Sequence, residues 1–80
     1  MVEINLWSGL RRFAGDQTVI AVPGSTLREI LAALVQAHPA LSPVIKAGVS
    51  VSVNGQIVTD MNAPVAAADE VYLIQRIKGG

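Results

Sequence analysis

Apolar and polar residues alternate in the first part of the chain, which predicts β-strands there. Val2, Ile4 and Leu6 alternate with polar residues and with Trp7, so strand one has a single buried face. A β-branched stretch over residues 18–22 follows a segment bracketed by glycines at residues 9–15. These two stretches favour an opening hairpin with a long loop.

The next segment has helical periodicity and begins after Pro23 and Gly24. Thr26 is placed to cap the helix and Glu29 to reach back from the third helical position, which is the spacing of a capping box. The residue before a proline is pushed out of the α region, so the helix is expected to end at His38. One apolar stripe follows the helix at the spacing i, i+3, i+4, i+7 and i+8, formed by Leu27, Ile30, Leu31, Leu34 and Val35.

The second half of the chain predicts three further strands. Residues 49–53 alternate strictly and lead into Asn54 and Gly55, a pair favoured in type I′ turns, and residues 56–59 return as the partner strand. A connection over residues 40–48, with one short helical turn, precedes this hairpin. A polar loop over residues 59–68 leads to a final strand that begins at Glu70.

This order of elements predicts an α+β domain of the β-grasp (ubiquitin-like) class. We expect a mixed sheet of four to five strands with one main helix packed on one face, because a single amphipathic helix covers only one side of a sheet. The whole chain, residues 1–80, forms one domain with a flexible C-terminal tail at about 76–80. In this fold the first and last strands pair in parallel, which gathers Trp7, Tyr72 and Ile74 into an exposed apolar patch. Such a patch on a small domain marks a partner-binding site, although Trp7 is also able to cover a loop or fill an edge of the core.

Composition narrows the functions that the chain can serve. The absence of cysteine excludes disulfides, thiolate metal sites and a cysteine nucleophile. The charges of six basic and six acidic residues cancel, so the chain lacks the excess positive charge that is typical of nucleic-acid-binding proteins. No apolar run approaches the ~20 residues of a membrane span, and the N-terminus does not look like a signal peptide. We therefore expect a cytoplasmic protein that binds neither membranes nor nucleic acid.

No combination of side chains predicts a catalytic or metal site. His38 has no carboxylate cluster beside it and is expected at a helix C-terminus, where it interacts with the helix dipole. Arg11 and Arg12 form either a phosphate site or, as we expect, a solvated pair in a loop. Asp69 and Glu70 point to opposite faces of a strand, which favours a structural role at the start of that strand. We expect no metal, no bound cofactor and no autonomous enzyme activity.

Gly79 and Gly80 follow the last predicted strand and are the strongest candidates for chemistry. Without Cβ atoms the two residues fit a narrow channel that would exclude any side chain. Their terminal carboxylate is a group that a partner enzyme with ATP can activate. Taken alone, a glycine pair at a chain end is more typical of a frayed terminus.

The chain resembles the ubiquitin-like sulfur carriers of the molybdopterin synthase small subunit and thiamin-biosynthesis carrier group. The resemblance extends over all 80 residues. It is carried by five segments: GLRRFAG at residues 9–15, PGSTL at 23–27, VNG at 53–55, ADEV at 68–71 and the glycines at 79–80.

The resemblance implies that Gly80 is adenylated by an E1-like enzyme and converted to a thiocarboxylate, the ATP and sulfur donor being used by that partner. It also implies that the tail enters a sulfur-accepting biosynthetic enzyme, the large subunit, with Gly80 as the reactive residue. The residues that thread into the partner's channel are then Arg76, Ile77, Lys78 and Gly79.

The molybdopterin pathway is the first expectation for the recipient of the sulfur. Carriers for thiamin, cysteine and secondary metabolites remain alternatives, as does a ubiquitin-like modifier that is joined to lysines through Gly80. The segment at residues 75–78 lacks the proline that often precedes the two glycines in the molybdopterin type, and it is closer to ubiquitin-like modifiers.

Overall fold

Five strands form one mixed sheet in the order β2-β1-β5-β3-β4. The computed structural model describes residues 1–75, and the expected flexible tail at residues 76–80 lies outside them. The strands are β1 (Val2–Leu6), β2 (Val19–Val22), β3 (Val49–Val53), β4 (Gln56–Val58) and β5 (Val71–Gln75). The helices are α1 (Leu27–Ala37), α2 (Ser42–Ala47) and two 3₁₀ helices at Ser8–Ala14 and Pro39–Leu41.

The pairing of the strands confirms the predicted β-grasp fold. The central strand β5 is parallel to β1 and antiparallel to β3, while β2 and β4 close the two edges as antiparallel partners. The register sets Ile4 opposite Val71 and Leu6 opposite Leu73, so the buried faces of the first and last strands coincide. The parallel pairing expected for these two strands is therefore confirmed.

Helix α1 covers the inner face of the sheet with the predicted stripe. Leu27, Ile30, Leu31 and Leu34 are buried, and Val35 at the edge of the stripe is half-buried. Together with the inner residues of β1, β2 and β5 they form the core. No helix within residues 1–75 covers the outer face of the sheet, where Tyr72 and Ile57 are exposed.

The start of α1 differs from the predicted capping box by one residue. The Thr26 hydroxyl accepts a hydrogen bond from the Glu29 N–H (3.3 Å), as expected, but the Glu29 carboxylate reaches back to Ser25. The N–H and hydroxyl of Ser25 donate to Glu29 Oε1 at 2.7 and 3.0 Å. Both bonds lower the pKa of Glu29, and the bond from the Ser25 N–H has the larger effect. Thr26 forms an isolated bridge with Pro64, so the segment around residues 63–65 pairs with the chain just before the helix.

Residues 8–14, predicted as a loop, instead form a 3₁₀ helix. Leu10 and Ala14 are fully buried, so this helix contributes two side chains to the core. The connection after α1 does contain helix, as predicted, but in two pieces: Pro39–Leu41 and α2.

Gly24 lies where the chain passes very close to helix α1. Its φ is +138°, and a Cβ atom there would meet the Glu29 Cβ and the Ile30 backbone nitrogen at 3.0 Å. Gly24→Ala is expected to lower the free energy of unfolding by about 1–3 kcal/mol, because both the backbone angle and the contact are unfavourable. Chemical denaturation of the purified variant measures this loss.

Gly55→Ala is the matched control for Gly24→Ala. Gly55 also has a positive φ, +85°, but a Cβ atom there meets nothing within 4 Å. The control isolates the backbone penalty, so it should destabilise the protein less. Equal losses in the two variants would show that the close contact at Gly24 costs nothing.

Among the described residues no single helix is long and apolar enough to cross a membrane. The bent pair Leu27–Ala37 and Pro39–Ala47, with a 120° angle between its parts, meets the length and composition limits only when the two are taken together.

Candidate functional site

Three large side chains are exposed on the outer face of the sheet, at the end where β1 and β5 both finish. Trp7, Tyr72 and Ile74 are 43%, 45% and 36% exposed. They are the residues that the sequence predicted to be exposed, and we call them the outer sheet patch. Their exposure is confirmed, whereas their role in binding stays a prediction.

The strand register brings the three residues of the patch together. Tyr72 lies opposite Asn5 in the parallel pair, and the Trp7 N–H donates to the Leu73 carbonyl at 3.1 Å. That hydrogen bond continues the parallel ladder one residue beyond β1 and sets Trp7 beside Ile74. Tyr72 and Ile74 are two residues apart on β5 and so share a face. The patch is therefore a contiguous cluster on two neighbouring strands.

The same face carries two further exposed apolar residues that the sequence analysis did not name. Val19 on β2 lies opposite Asn5, and Ile57 on β4 lies opposite Ser52, which in turn lies opposite Tyr72. Both side chains are exposed. The period of two in the predicted strands at residues 18–22 and 56–59 contained this signal. A row of partly apolar residues thus crosses the whole sheet, with the patch at its centre.

The pair Arg11 and Arg12 follows β1 within the first 3₁₀ helix. Arg11 is half-buried, and its Nε donates to the Leu6 carbonyl at 3.2 Å. The Arg12 guanidinium lies 4.8 Å from the centre of the Phe13 ring, a cation–π contact. Arg11 thus contacts the end of β1 and Arg12 contacts its own helix, and the expected loop pair is in fact part of that helix.

Asp69 and Glu70 organise the start of β5, as the sequence predicted. Asn54 Nδ2 donates to Asp69 Oδ1 (3.1 Å), and the Glu70 N–H donates to Asn54 Oδ1 (2.9 Å). Asp69 Oδ2 also accepts the Ala66 N–H at 2.8 Å. The Asn54 side chain first, and then the Ala66 N–H, lower the pKa of Asp69 below its ordinary value of 3.8. This network joins the β3–β4 turn, in which Asn54 has φ +53° and Gly55 φ +85°, to the strand that precedes the tail.

The lowered pKa of Asp69 predicts a loss of stability in acid. Because the pKa is lower in the folded chain than in the unfolded one, the carboxylate stabilises the fold above the unfolded value. That contribution is lost as the pH falls below about 3.8 and through the folded pKa. Asp69→Asn should unfold at a lower temperature than the wild type at neutral pH, and the difference should shrink as the solution is acidified. Thermal unfolding followed by circular dichroism over this pH range measures the effect.

Asp16→Asn is the control for the change in net charge. The Asp16 carboxylate accepts no hydrogen bond from the residues that the structure describes, and its φ of +64° suits asparagine as well as aspartate. If Asp69→Asn and Asp16→Asn shift the unfolding temperature equally at neutral pH, the Asn54 and Ala66 hydrogen bonds contribute nothing.

Other candidate chemistry is limited within residues 1–75. No group of three or more histidine or acidic side chains in that range is placed to hold a metal ion. His38 lies at the C-cap of α1, where the sequence placed it, and its N–H donates to the Leu34 carbonyl at 2.8 Å. The predicted reactive residue Gly80 and the predicted tail residues Arg76, Ile77, Lys78 and Gly79 lie outside the described residues. Strand β5 leads directly to them and starts beside the Asp69 network.

Comparison with known proteins identifies one family. The sequence model of the ThiS family matches residues 4–80, which includes both terminal glycines. Comparison with curated proteins returns no match.

Solved structures agree with this match over the full length of the chain. SAMP1 from Haloferax volcanii is 35% identical with a TM-score of 0.74, and the alignment covers 99% of this chain and 98% of that one. The BexX/CysO complex of Amycolatopsis orientalis contains a chain with a TM-score of 0.83 at 21% identity, covering 100% of both chains. The complex of subunits 1 and 2 of the molybdopterin-converting factor from Helicobacter pylori gives 0.71 at 19% identity, covering 99% and 97%.

Proposed function

The chain belongs to the ThiS family of ubiquitin-like sulfur carriers, and we propose that it carries sulfur as a thiocarboxylate on Gly80. The observation that carries this proposal is the family match, which extends to the last glycine. The absence of cysteine supports it, because no thiol is present that would carry sulfur in another way.

The proposed chemistry needs an E1-like partner, which uses ATP and a sulfur donor. The Gly80 carboxylate attacks the α-phosphorus of ATP, which releases pyrophosphate and forms an acyl-adenylate. Hydrosulfide released by the donor then attacks the acyl carbon and displaces AMP, which leaves a thiocarboxylate and releases one proton. The sulfur passes to the substrate of an accepting enzyme, and the Gly80 carboxylate is regenerated with an oxygen from water. The chain itself supplies the acyl group and no catalytic side chain.

Gly79 and the residues before it are proposed to thread the reactive end into the partner's channel. Gly79 has no Cβ atom to clash with the channel walls. Arg76, Ile77 and Lys78 would contact the partner along the tail. The outer sheet patch would dock on the same partner, because exposed aromatic and aliphatic clusters are typical centres of protein interfaces. Relatives whose structures are complexes, BexX/CysO and the two subunits of the molybdopterin-converting factor, support a protein partner.

We propose first that the sulfur enters the molybdopterin pathway. The carrier would act in the cytoplasm, and the enzyme that accepts its sulfur would be the large subunit of a sulfur-transfer complex. One observation favours a second candidate, a protein modifier joined to lysines through Gly80. The chain is 35% identical to the Haloferax protein, which is a small archaeal modifier protein. It is only 19% identical to the chain from the molybdopterin-converting complex.

Intact mass measurement tests the proposed thiocarboxylate. The chain is incubated with its activating enzyme, ATP and a sulfur donor, and the expected product is heavier by the difference between one sulfur and one oxygen atom. Treatment with an alkylating reagent should then add one label, although the chain has no cysteine. An unchanged mass in the presence of an enzyme that turns over ATP with this chain would contradict the proposal. Gly80 found only in isopeptide linkage to lysines would favour the modifier instead.

A further inference from the structure

A second surface feature lies on the helical side of the molecule, away from the outer sheet patch. It is a groove of about 390 Å³ between α1, α2 and the loop that follows β4. Its apolar walls come from Leu31, Val35, Ile45 and Met61, and its rim carries Arg28 and Lys46. We call these six residues the helical groove. A second cleft of about 210 Å³ shares Leu31, Ile45 and Met61 with it and continues toward β3 and β4.

The path of the chain after α1 opens this groove. The helical segments on the two sides of His38 are bent by 120°, so α2 does not lie flat along α1. Met61 remains exposed at the groove although it is a large apolar residue, and Val35 and Ile45 are only half-buried. Methionine is flexible and adapts to varied apolar partners, which makes it common on binding surfaces. The groove is therefore an apolar surface that the described residues leave uncovered.

The charge of the groove has a single sign. Among residues 1–75, the charged residues that line the two clefts are Arg28 and Lys46, and no carboxylate in that range lines them. The carboxylates adjacent in sequence accept hydrogen bonds elsewhere: Glu29 accepts from Ser25, and Asp60 accepts the Asn62 N–H at 2.9 Å. Both cationic side chains are exposed. Their exposure allows them to pair with negative charge on a bound molecule.

The position of Arg28 is not explained by the stability of its helix. It lies in the first turn of α1, where the helix dipole disfavours positive charge. The backbone N–H groups at this end are already paired: Leu27 donates to the Ala63 carbonyl (3.0 Å), and Arg28 donates to the Met61 carbonyl (2.9 Å). An anion in the groove would therefore bind the Arg28 side chain and not the helix terminus.

We propose that the helical groove binds an acidic amphipathic segment of a protein partner. Apolar side chains of that segment lie against Leu31, Ile45 and Met61, and its carboxylates pair with Arg28 and Lys46. The volume of the groove suits a few apolar side chains, and two cations beside an apolar floor match an amphipathic helix with an acidic face. The groove lies on the helical side of the sheet, opposite the outer sheet patch, and the proposal does not rest on the sulfur carrier function.

The test uses the full chain and a fluorescein-labelled synthetic helical peptide with leucine on one face and glutamate on the other. Fluorescence anisotropy gives the affinity, and backbone amide chemical shifts locate the site. We expect shifts at Ala32, Val35, Ile45 and Met61. Arg28→Glu and Lys46→Glu should each weaken binding by about fivefold, because each reverses one proposed ion pair at the rim. Met61→Ala should also weaken binding, through lost apolar contact.

Arg12→Glu is the control, since it makes the same change in net charge at an exposed arginine outside the groove. It should leave the affinity unchanged, and circular dichroism verifies that each variant is folded. Equal binding of a peptide with lysine in place of every glutamate would overturn the proposal. So would chemical shifts confined to Trp7 and Tyr72, or an equal loss in Arg12→Glu. Chemical-shift changes in the groove that appear without peptide as the protein concentration rises would assign the groove to a second copy of the chain and overturn the proposal. Decanoate that binds in the groove as tightly as the acidic peptide would also overturn it.

Discussion

Removal of Gly79 and Gly80 is expected to abolish activation of the chain by its E1-like enzyme and to leave its thermal unfolding temperature unchanged. The deletion removes the proposed reacting carboxylate together with the residue that lets it enter the channel. It removes none of the buried apolar residues of the described chain, all of which lie between Val2 and Leu73. ATP–pyrophosphate exchange measures activation, and differential scanning calorimetry measures stability.

Two further variants separate the causes of this loss. Gly79→Ala keeps the length and the terminal carboxylate but adds a Cβ atom, and it should slow activation by at least about 100-fold, since a small misplacement of a reacting group costs that much. A chain extended by one alanine after Gly80 keeps both glycines and moves the carboxylate, and it should also fail. Full activation of the extended chain would contradict the assignment of Gly80. Equal losses of stability and activation in Gly79→Ala would show a structural role for the tail instead.

The double variant Trp7→Ala, Tyr72→Ala is expected to weaken binding to the activating enzyme by at least about thirtyfold. Buried aromatic residues at the centre of an interface contribute on the order of 2 kcal/mol each or more, although such effects do not add simply. Both side chains are exposed in the free chain, so the unfolding temperature should change little. Isothermal titration calorimetry with the enzyme and the unmodified chain measures the affinity.

Ile57→Ala is the matched control on the same face of the sheet. Ile57 is the more exposed side chain, but it lies on β4, separated from Tyr72 by β3. The variant should bind nearly as the wild type does if docking is centred on the outer sheet patch. A loss as large as that of the double variant would move the interface to the β4 edge, and wild-type affinity in the double variant would remove the patch from the interface.

Local patterns predicted most of the fold because each one reports a local physical requirement. The alternation of Val2, Ile4 and Leu6 identified β1, since neighbouring side chains on a strand point to opposite faces. Asn54 and Gly55 identified the hairpin turn, because both adopt positive φ. The stripe from Leu27 to Leu34 identified α1 and the face that it buries.

The errors arose where a residue's role depends on distant contacts. The prediction of a loop at Ser8–Ala14 was wrong, because Leu10 and Ala14 become buried only when the sheet and α1 are present to cover them. Glu29 reached Ser25 instead of the N–H of Thr26, whose segment pairs with residues near Pro64. Val19 and Ile57 were missed because their place on the patch face depends on the register of four strand pairs.

The sequence was sufficient to predict the order of the elements, the lack of any thiol, the candidate reactive end and the residues exposed just after β1 and on β5. These depend on composition and on short-range periodicity, which a single chain displays directly. The structure added the strand register that sets Trp7 beside Ile74, and it showed that the exposed apolar row crosses the whole sheet. It also decided that Arg28, Ile45, Lys46 and Met61, which lie in three separate segments, line one groove. The reason is that strand register and helix packing arise from burial of the shared core, a property of the whole chain that no local segment contains.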